Sequence, residues 1–195
     1  INRFYERKKI GKRAERISDI SKITKSNLEI GFRRAKFLED HGKSKTSDSD
    51  YIRIEDVVSS LLDNYKTKTS GVAINHTFTS EDYKFKSRYD DLYLVFDNLV
   101  RNAVEAGATI INIESKVNDK QYIISVSDNG PGMSEQTRNN AFDLYFSTKK
   151  LDDDGRQRGI GLATVLKTVR DYNGKISIDS ELNKGTTFTI NFKVE

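Results

Sequence analysis

Cysteine is absent from these 195 residues, so neither a disulfide nor a thiolate metal site can contribute to the fold. Tryptophan is absent too, and the sole proline and sole methionine, Pro131 and Met133, lie two residues apart. With one proline, helices elsewhere meet no obligatory break. No apolar run approaches the roughly 20 residues that cross a bilayer, and the first residues are polar and basic, not a charged start followed by an apolar block. This stretch is therefore read as neither spanning a membrane nor carrying a secretion signal. It opens on Ile1, not Met, and the expectation is a piece of a longer or processed protein whose upstream part could hold a membrane anchor.

Hydrophobic residues make up 35% of the chain, enough for a proper core, and charged residues 32%, which implies an extensively solvated surface. The length fits one domain of ordinary size with a small appendage. Residues 1–50 carry 14 Lys/Arg against 8 Asp/Glu, and the remainder 19 against 21, so the basic excess lies at the front. Acidic and basic residues are interleaved there, with no block of aromatic stacking residues among them. A solvated helix surface explains this better than nucleic-acid binding.

From Arg3 to about Glu39, Ile10, Ala14, Ile17, Ile20, Ile23, Leu28, Ala35 and Leu38 recur in helical steps. Such an arm is not stable alone, and its apolar stripe predicts self-association through these helices, as a homodimer. Residues 1–45 are read as this helical arm, a dimerisation hairpin or part of one, and 46–195 as the globular domain. The small, polar run His41–Asp50 is the predicted hinge.

Beyond it, Ile54, Val57, Val58, Leu61, Leu62 and Tyr65 form one helix face, and Val72 to Phe78 alternates like a strand. A helix from about Arg88 to Ala106 buries Leu92, Val95, Phe96, Leu99 and Ala103 and stops at Gly107. Strands near Thr109–Val117 and Gln121–Ser127 read as a hairpin. A short helix is predicted near Ser134–Asp143, and a highly charged loop follows from Lys149 to Arg158. A helix over Gly159–Tyr172, with Leu162, Val165, Leu166 and Val169 inward, leads to strand Gly174–Ser180. After the turn Leu182–Gly185, a last strand puts Phe188, Ile190, Phe192 and Val194 on one face. Helices beside antiparallel hairpins describe an α+β layered sandwich.

Chemistry concentrates in a few segments. Asp128-Asn129-Gly130-Pro131-Gly132-Met133 follows a strand-like run. A carboxylate at a strand end can accept from an exocyclic amine, and Gly130 and Gly132 let backbone pass close to a flat ring, as adenine would require. Asn98 and Asn102 are one turn apart on a helix, and an amide oxygen can complete the shell of a Mg2+ already held by phosphates. Taken alone, the pair serves equally well to cap backbone or face water. Arg158-Gly159-Ile160-Gly161-Leu162 enters a helix, where exposed amides and the dipole suit phosphate oxygens, although Gly-x-Gly alone is often only a tight loop. Phe142 to Lys149 combines an aromatic cluster with a hydroxyl pair and a cation, and without its neighbours it reads equally as packing.

In their order, Asn98–Ala106, Asp128–Met133, Phe142–Lys149, Arg158–Ala163 and Gly185–Phe188 resemble the N, first glycine, F, second glycine and third glycine boxes of the GHKL ATPase superfamily. The chain is most similar to the catalytic ATP-binding domain of sensor histidine kinases, over roughly residues 51–195. The resemblance implies a Bergerat-type two-layer α/β sandwich with a mixed sheet, ATP and Mg2+ as cofactors, and a cytoplasmic location, if need be as part of a membrane-anchored protein. It implies Asn102 as the metal ligand and Asn98 as the second amide of that box, both counted as catalytic. Asp128 reads adenine, with Gly130, Gly132 and Met133 beside it. Lys149 and Arg158, Gly159, Ile160, Gly161 and Leu162 lie on the phosphate side, and Thr186 is a hydroxyl behind the base. A response-regulator receiver domain is the implied partner.

Hydrolytic members of that superfamily carry a glutamate where this chain has Asn98, and an amide cannot take a proton from water. Asp97 points about 100° away on the helix and Glu105 lies beyond Asn102, so neither replaces it. This favours transfer of the γ-phosphoryl to a histidine over hydrolysis. A conformational switch or slow ATPase is the alternative. Neither His41 nor His76 has the helical, acid-flanked setting of an acceptor, which is therefore expected outside this chain.

Overall fold

The computed structural model describes residues 50–68, 71–78, 83–118, 120–147 and 159–193, with eight helical positions between Ile17 and Ala35. The elements are β1 (Asp50–Ile52), α1 (Ile54–Lys68), β2 (Ala73–Thr77), β3 (Phe85–Ser87), α2 (Tyr89–Glu105), β4 (Ile110–Asn118), β5 (Gln121–Asp128), α3 (Glu135–Asn140), α4 (Gly161–Asp171), β6 (Lys175–Glu181) and β7 (Gly185–Lys193). A five-stranded sheet runs β2-β4-β5-β7-β6, parallel only between β2 and β4. Helices α1, α2 and α4 cover one of its faces, giving the mixed α+β sandwich that the sequence predicts.

Side-chain period decides which groups enter the core. On β5, Tyr122, Ile124 and Val126 alternate inward, and β7 answers with Phe192, Ile190 and Phe188 in register. On α2, Leu92, Val95, Phe96, Leu99 and Ala103 are each at most 4% exposed. Burying each of the larger ones contributes about 1.5–3 kcal/mol. Asp90 and Asp91 complement the dipole at the start of α2, and Gly107 takes φ +86° just past its end. Polar ties fix the helices. The Tyr122 hydroxyl donates to buried Glu55 of α1 at 2.5 Å, and that of Tyr172, just after α4, donates to Asp91 of α2 at 2.7 Å. Burial first, then this bond, pushes the Tyr172 phenol up to about 12.

Two expectations differ from the structure. Asp50, placed in the predicted hinge, begins β1, which pairs with β3 in a two-stranded ribbon that the sequence reading passed over. On α4, Leu166 is only half-buried. Thr164 is buried instead, its hydroxyl returned to the Ile160 carbonyl at 2.8 Å. The remainder of the hinge, His41 and Val194 lie outside the described residues, as does most of the arm. Within the arm, Ile17, Ile20 and Leu28 are helical and 67%, 63% and 69% exposed.

Candidate nucleotide-binding site

The alternation that buries Tyr122, Ile124 and Val126 brings Asp128, two residues on, to the same helix-facing side. Asp128 pairs across to Thr186 of β7, and Thr186 to Ser180 of β6. A polar row thus closes one end of an otherwise apolar face. The Asp128 Oδ1 accepts from the Gly130 amide at 2.8 Å, and its carboxylate also accepts from the Thr186 amide. Burial raises its pKa, and these two bonds pull the other way. A half-buried carboxylate with acceptor capacity remaining is suited to a ligand N–H.

The loop after Asp128 interlocks with the β6–β7 turn. Asn183 donates its amide to the Pro131 carbonyl at 2.7 Å, and Met133 donates its own to the Ser180 hydroxyl at 2.9 Å. Gly132 has φ +67°, and a Cβ there would lie 1.9 Å from the Glu181 carbonyl oxygen. A Cβ on Gly130 would stand 3.8 Å from the Cβ atoms of Ala106 and Ala108, so the loop lies against the C-terminal end of α2. The side chain of Met133 packs on the core.

Along α2, the two asparagines have different surroundings. Asn98 is 1% exposed, its Nδ2 donating to the Leu94 carbonyl at 2.7 Å and its Oδ1 accepting from Arg101 Nη2 at 2.5 Å. A Cβ on Gly161 would meet that Oδ1 at 3.0 Å, so the start of α4 sits over it. Asn102 is only half-buried. Arg101 also faces Asp97 at 3.5 Å and Glu105 at 3.8 Å, while Tyr65 donates its hydroxyl to Asp97 at 2.9 Å. Both nearby carboxylates are therefore engaged in pairs.

The two amides should separate by mutation. Asn98→Ala removes a buried amide together with its two hydrogen bonds and should lower stability by about 1–3 kcal/mol in urea unfolding. Asn102→Ala should change stability by less than about 0.5 kcal/mol while reducing the Mg2+-dependent part of ATP affinity. Equal effects of both substitutions on stability would contradict this.

Described residues on either side of the predicted charged loop meet: Tyr145 donates its amide to the Gly159 carbonyl at 2.9 Å. Tyr145 takes φ 69°, and a Cβ on Gly159 would strike the Phe146 carbonyl oxygen at 2.5 Å. Thr148, Lys149 and Arg158 lie outside the described residues. Ile160 is buried, and Leu162 and Phe142 pack against the core, so these three side chains shape the site by packing. Gly161 opens α4 beside Asn98.

Residues 87–195, more than half of the chain, match the family model described as "Histidine kinase-, DNA gyrase B-, and HSP90-like ATPase". The chain belongs to this family. Among curated relatives, the signal transduction histidine-protein kinase ArlS of Staphylococcus aureus (strain USA300) is 28% identical over 152 residues, 75% of this chain and 33% of ArlS. The chain thus spans about a third of the length of the curated relatives it matches. The catalytic domain of histidine kinase ThkA superposes with a TM-score of 0.64 at 23% identity, covering 75% of this chain and 96% of that one. For the mycobacterial sensor histidine kinase MprB the values are 0.63, 19%, 74% and 97%. Full-length ShkA, solved in complex with AMPPNP, gives 0.66 at 20% identity over 86% of this chain and 35% of that chain. At such identities the likeness shows the fold of this family's ATP-binding domain.

Two residues of this candidate site escaped the sequence reading. Ser180 could have been found from the alternation Ile176, Ile178, Ser180, which puts a hydroxyl on the core face. Arg101 had no such signal, because its contacts depend on how its rotamer falls among Asp97, Asn98 and Glu105.

Proposed function

We propose that this chain binds Mg-ATP between α2, the Asp128 end of the sheet and the start of α4, as the catalytic part of a histidine kinase. The observation that carries the reading is the half-buried Asp128 carboxylate, flanked by glycine backbone at a strand end. Asp128 accepts from the adenine amine, Gly130 and Gly132 let the loop pack closely on Asp128 and on the Glu181 backbone with Met133 behind them, and Thr186 lies beside Asp128. Asn98 holds Arg101 and α4 in place. Lys149, Arg158 and the amides of Gly159 to Leu162 take the phosphate side.

The residues present fit Mg2+ as an ion carried in by the nucleotide. Among the described residues no group of three or more His, Cys, Asp or Glu could hold a metal. Phosphate oxygens, waters and the Asn102 amide oxygen together form the hard, oxygen-rich shell that Mg2+ prefers.

The acceptor histidine lies outside this chain. His76 sits in β2, exposed, its ring 5.0 Å from that of Phe78, and is not on a helix. The exposed Ile17, Ile20 and Leu28 of the arm support a homodimer formed through these helices. A receiver domain is the partner that would take the phosphoryl group onward, in the cytoplasm. Among the described residues no helix is long and apolar enough to cross a membrane.

Calorimetric titration with Mg-ATP tests the binding, and γ-labelled ATP the chemistry. Label is expected on a histidine of the full-length protein and not on His41 or His76. Release of label only as free phosphate would favour the slow ATPase or switch, and absence of binding would remove both readings.

A further inference from the structure

We infer that Ser180 sets the direction of the Thr186 hydroxyl and thereby makes the end of the sheet selective for a base that presents an amine, not a carbonyl, beside Asp128. This rests on the nucleotide reading above and adds a specificity residue to it. Ser180 is 7% exposed and Thr186 6%, so neither hydroxyl is oriented by bulk water. Three partners surround Ser180 Oγ, each at 2.9 Å: the Met133 amide, the Gly185 carbonyl and Thr186 Oγ1.

Counting protons orients the set. The Met133 amide can only donate and the Gly185 carbonyl can only accept. A serine hydroxyl has one proton, and the bond to Gly185 uses it. In the remaining contact Thr186 must then be the donor, giving its proton to Ser180. Thr186 Oγ1 is left with lone pairs only for any further neighbour, and its cross-strand partner is Asp128. The row therefore offers a carboxylate and a hydroxyl acceptor side by side. The six-amino group of adenine supplies a donor to them. A six-oxo purine would bring a third acceptor, and Thr186 could not turn to meet it without breaking its bond to Ser180.

Mg-ATP and Mg-ITP, which differ in this group and leave the phosphates unchanged, are the probes. The parent should prefer ATP. Ser180→Ala frees the Thr186 proton to rotate, and the ATP-to-ITP affinity ratio should fall about tenfold, chiefly through better ITP binding. Ser180→Cys, close in size and a weak acceptor for the Thr186 proton, should lower the ratio similarly and keeps the test available if the alanine variant does not fold. Because Ser180 acts through Thr186, the double variant Ser180→Ala/Thr186→Val should show the ratio of Thr186→Val alone. An unchanged ratio in the serine variants, or additive losses in the double variant, would mean that Ser180 only stitches the Met133 loop to the turn, and would overturn the inference while leaving ATP binding intact. If the parent binds neither nucleotide, the inference and the reading beneath it fall together.

Discussion

Asp128→Asn is expected to weaken ATP binding about 100-fold, some 2.7 kcal/mol, and to leave the nucleotide-free protein at least as stable at neutral pH. The two effects have one origin. Burial raises the Asp128 pKa, against the opposing bonds from the Gly130 and Thr186 amides. Because the folded state then binds the proton more tightly than the unfolded chain, the contribution of Asp128 to stability is fully present below its unfolded pKa and is lost as pH rises through the folded value. Asparagine does not titrate and can keep an oxygen for the Gly130 amide. Thermal unfolding across a pH series should therefore show the parent losing ground to the variant as pH rises from the ordinary aspartate value through the raised one, and no further loss beyond it. ATP binding runs the opposite way. It needs the ionised acceptor and should decline on acidification at a higher pH than an ordinary exposed aspartate would dictate. A variant that binds ATP like the parent would remove Asp128 from the site.

How far such behaviour is legible in the sequence depends on the length over which each signal repeats. Helix α2 is readable because five apolar positions recur over several turns and Gly107 marks the end. The Asp128 loop is readable because it follows a strand whose alternation fixes which way the carboxylate points. The β1–β3 ribbon has three residues on each side, too few for a period of two to declare itself. The asparagine pair is an intermediate case. A helical wheel places Asn98 and Asn102 about 40° apart on one side, but only the packing of α4 decides that Gly161 covers Asn98 and leaves Asn102 half-open. Ser180 belongs to the same class, since its role arises where the Met133 loop, 47 residues away in sequence, meets the β6–β7 turn on one oxygen.

That convergence predicts a graded response to alanine at glycines that look alike in sequence. Gly107, Gly132 and Gly185 all have positive φ, at 86°, 67° and 87°. Each substitution meets the left-handed penalty of about 1–2 kcal/mol. At Gly107 nothing lies within 4 Å of the added Cβ, so its loss should stop there. At Gly132 the Cβ would stand 1.9 Å from the Glu181 carbonyl oxygen, and at Gly185 1.9 Å from that of Asp128. These obstacles are backbone, held by the Asn183–Pro131 and Met133–Ser180 bonds, and no rotamer change relieves them. Overpacking adds a further ~1–3 kcal/mol, which puts Gly132→Ala and Gly185→Ala at about 4 kcal/mol in denaturant unfolding. The surviving folded fraction should bind ATP poorly, because the only way out of the clash is to part the Asp128 loop from the β6–β7 turn and displace the carboxylate. Gly107→Ala should bind like the parent. Equal destabilisation at all three positions would show that φ alone matters and that the two glycine segments are not interlocked.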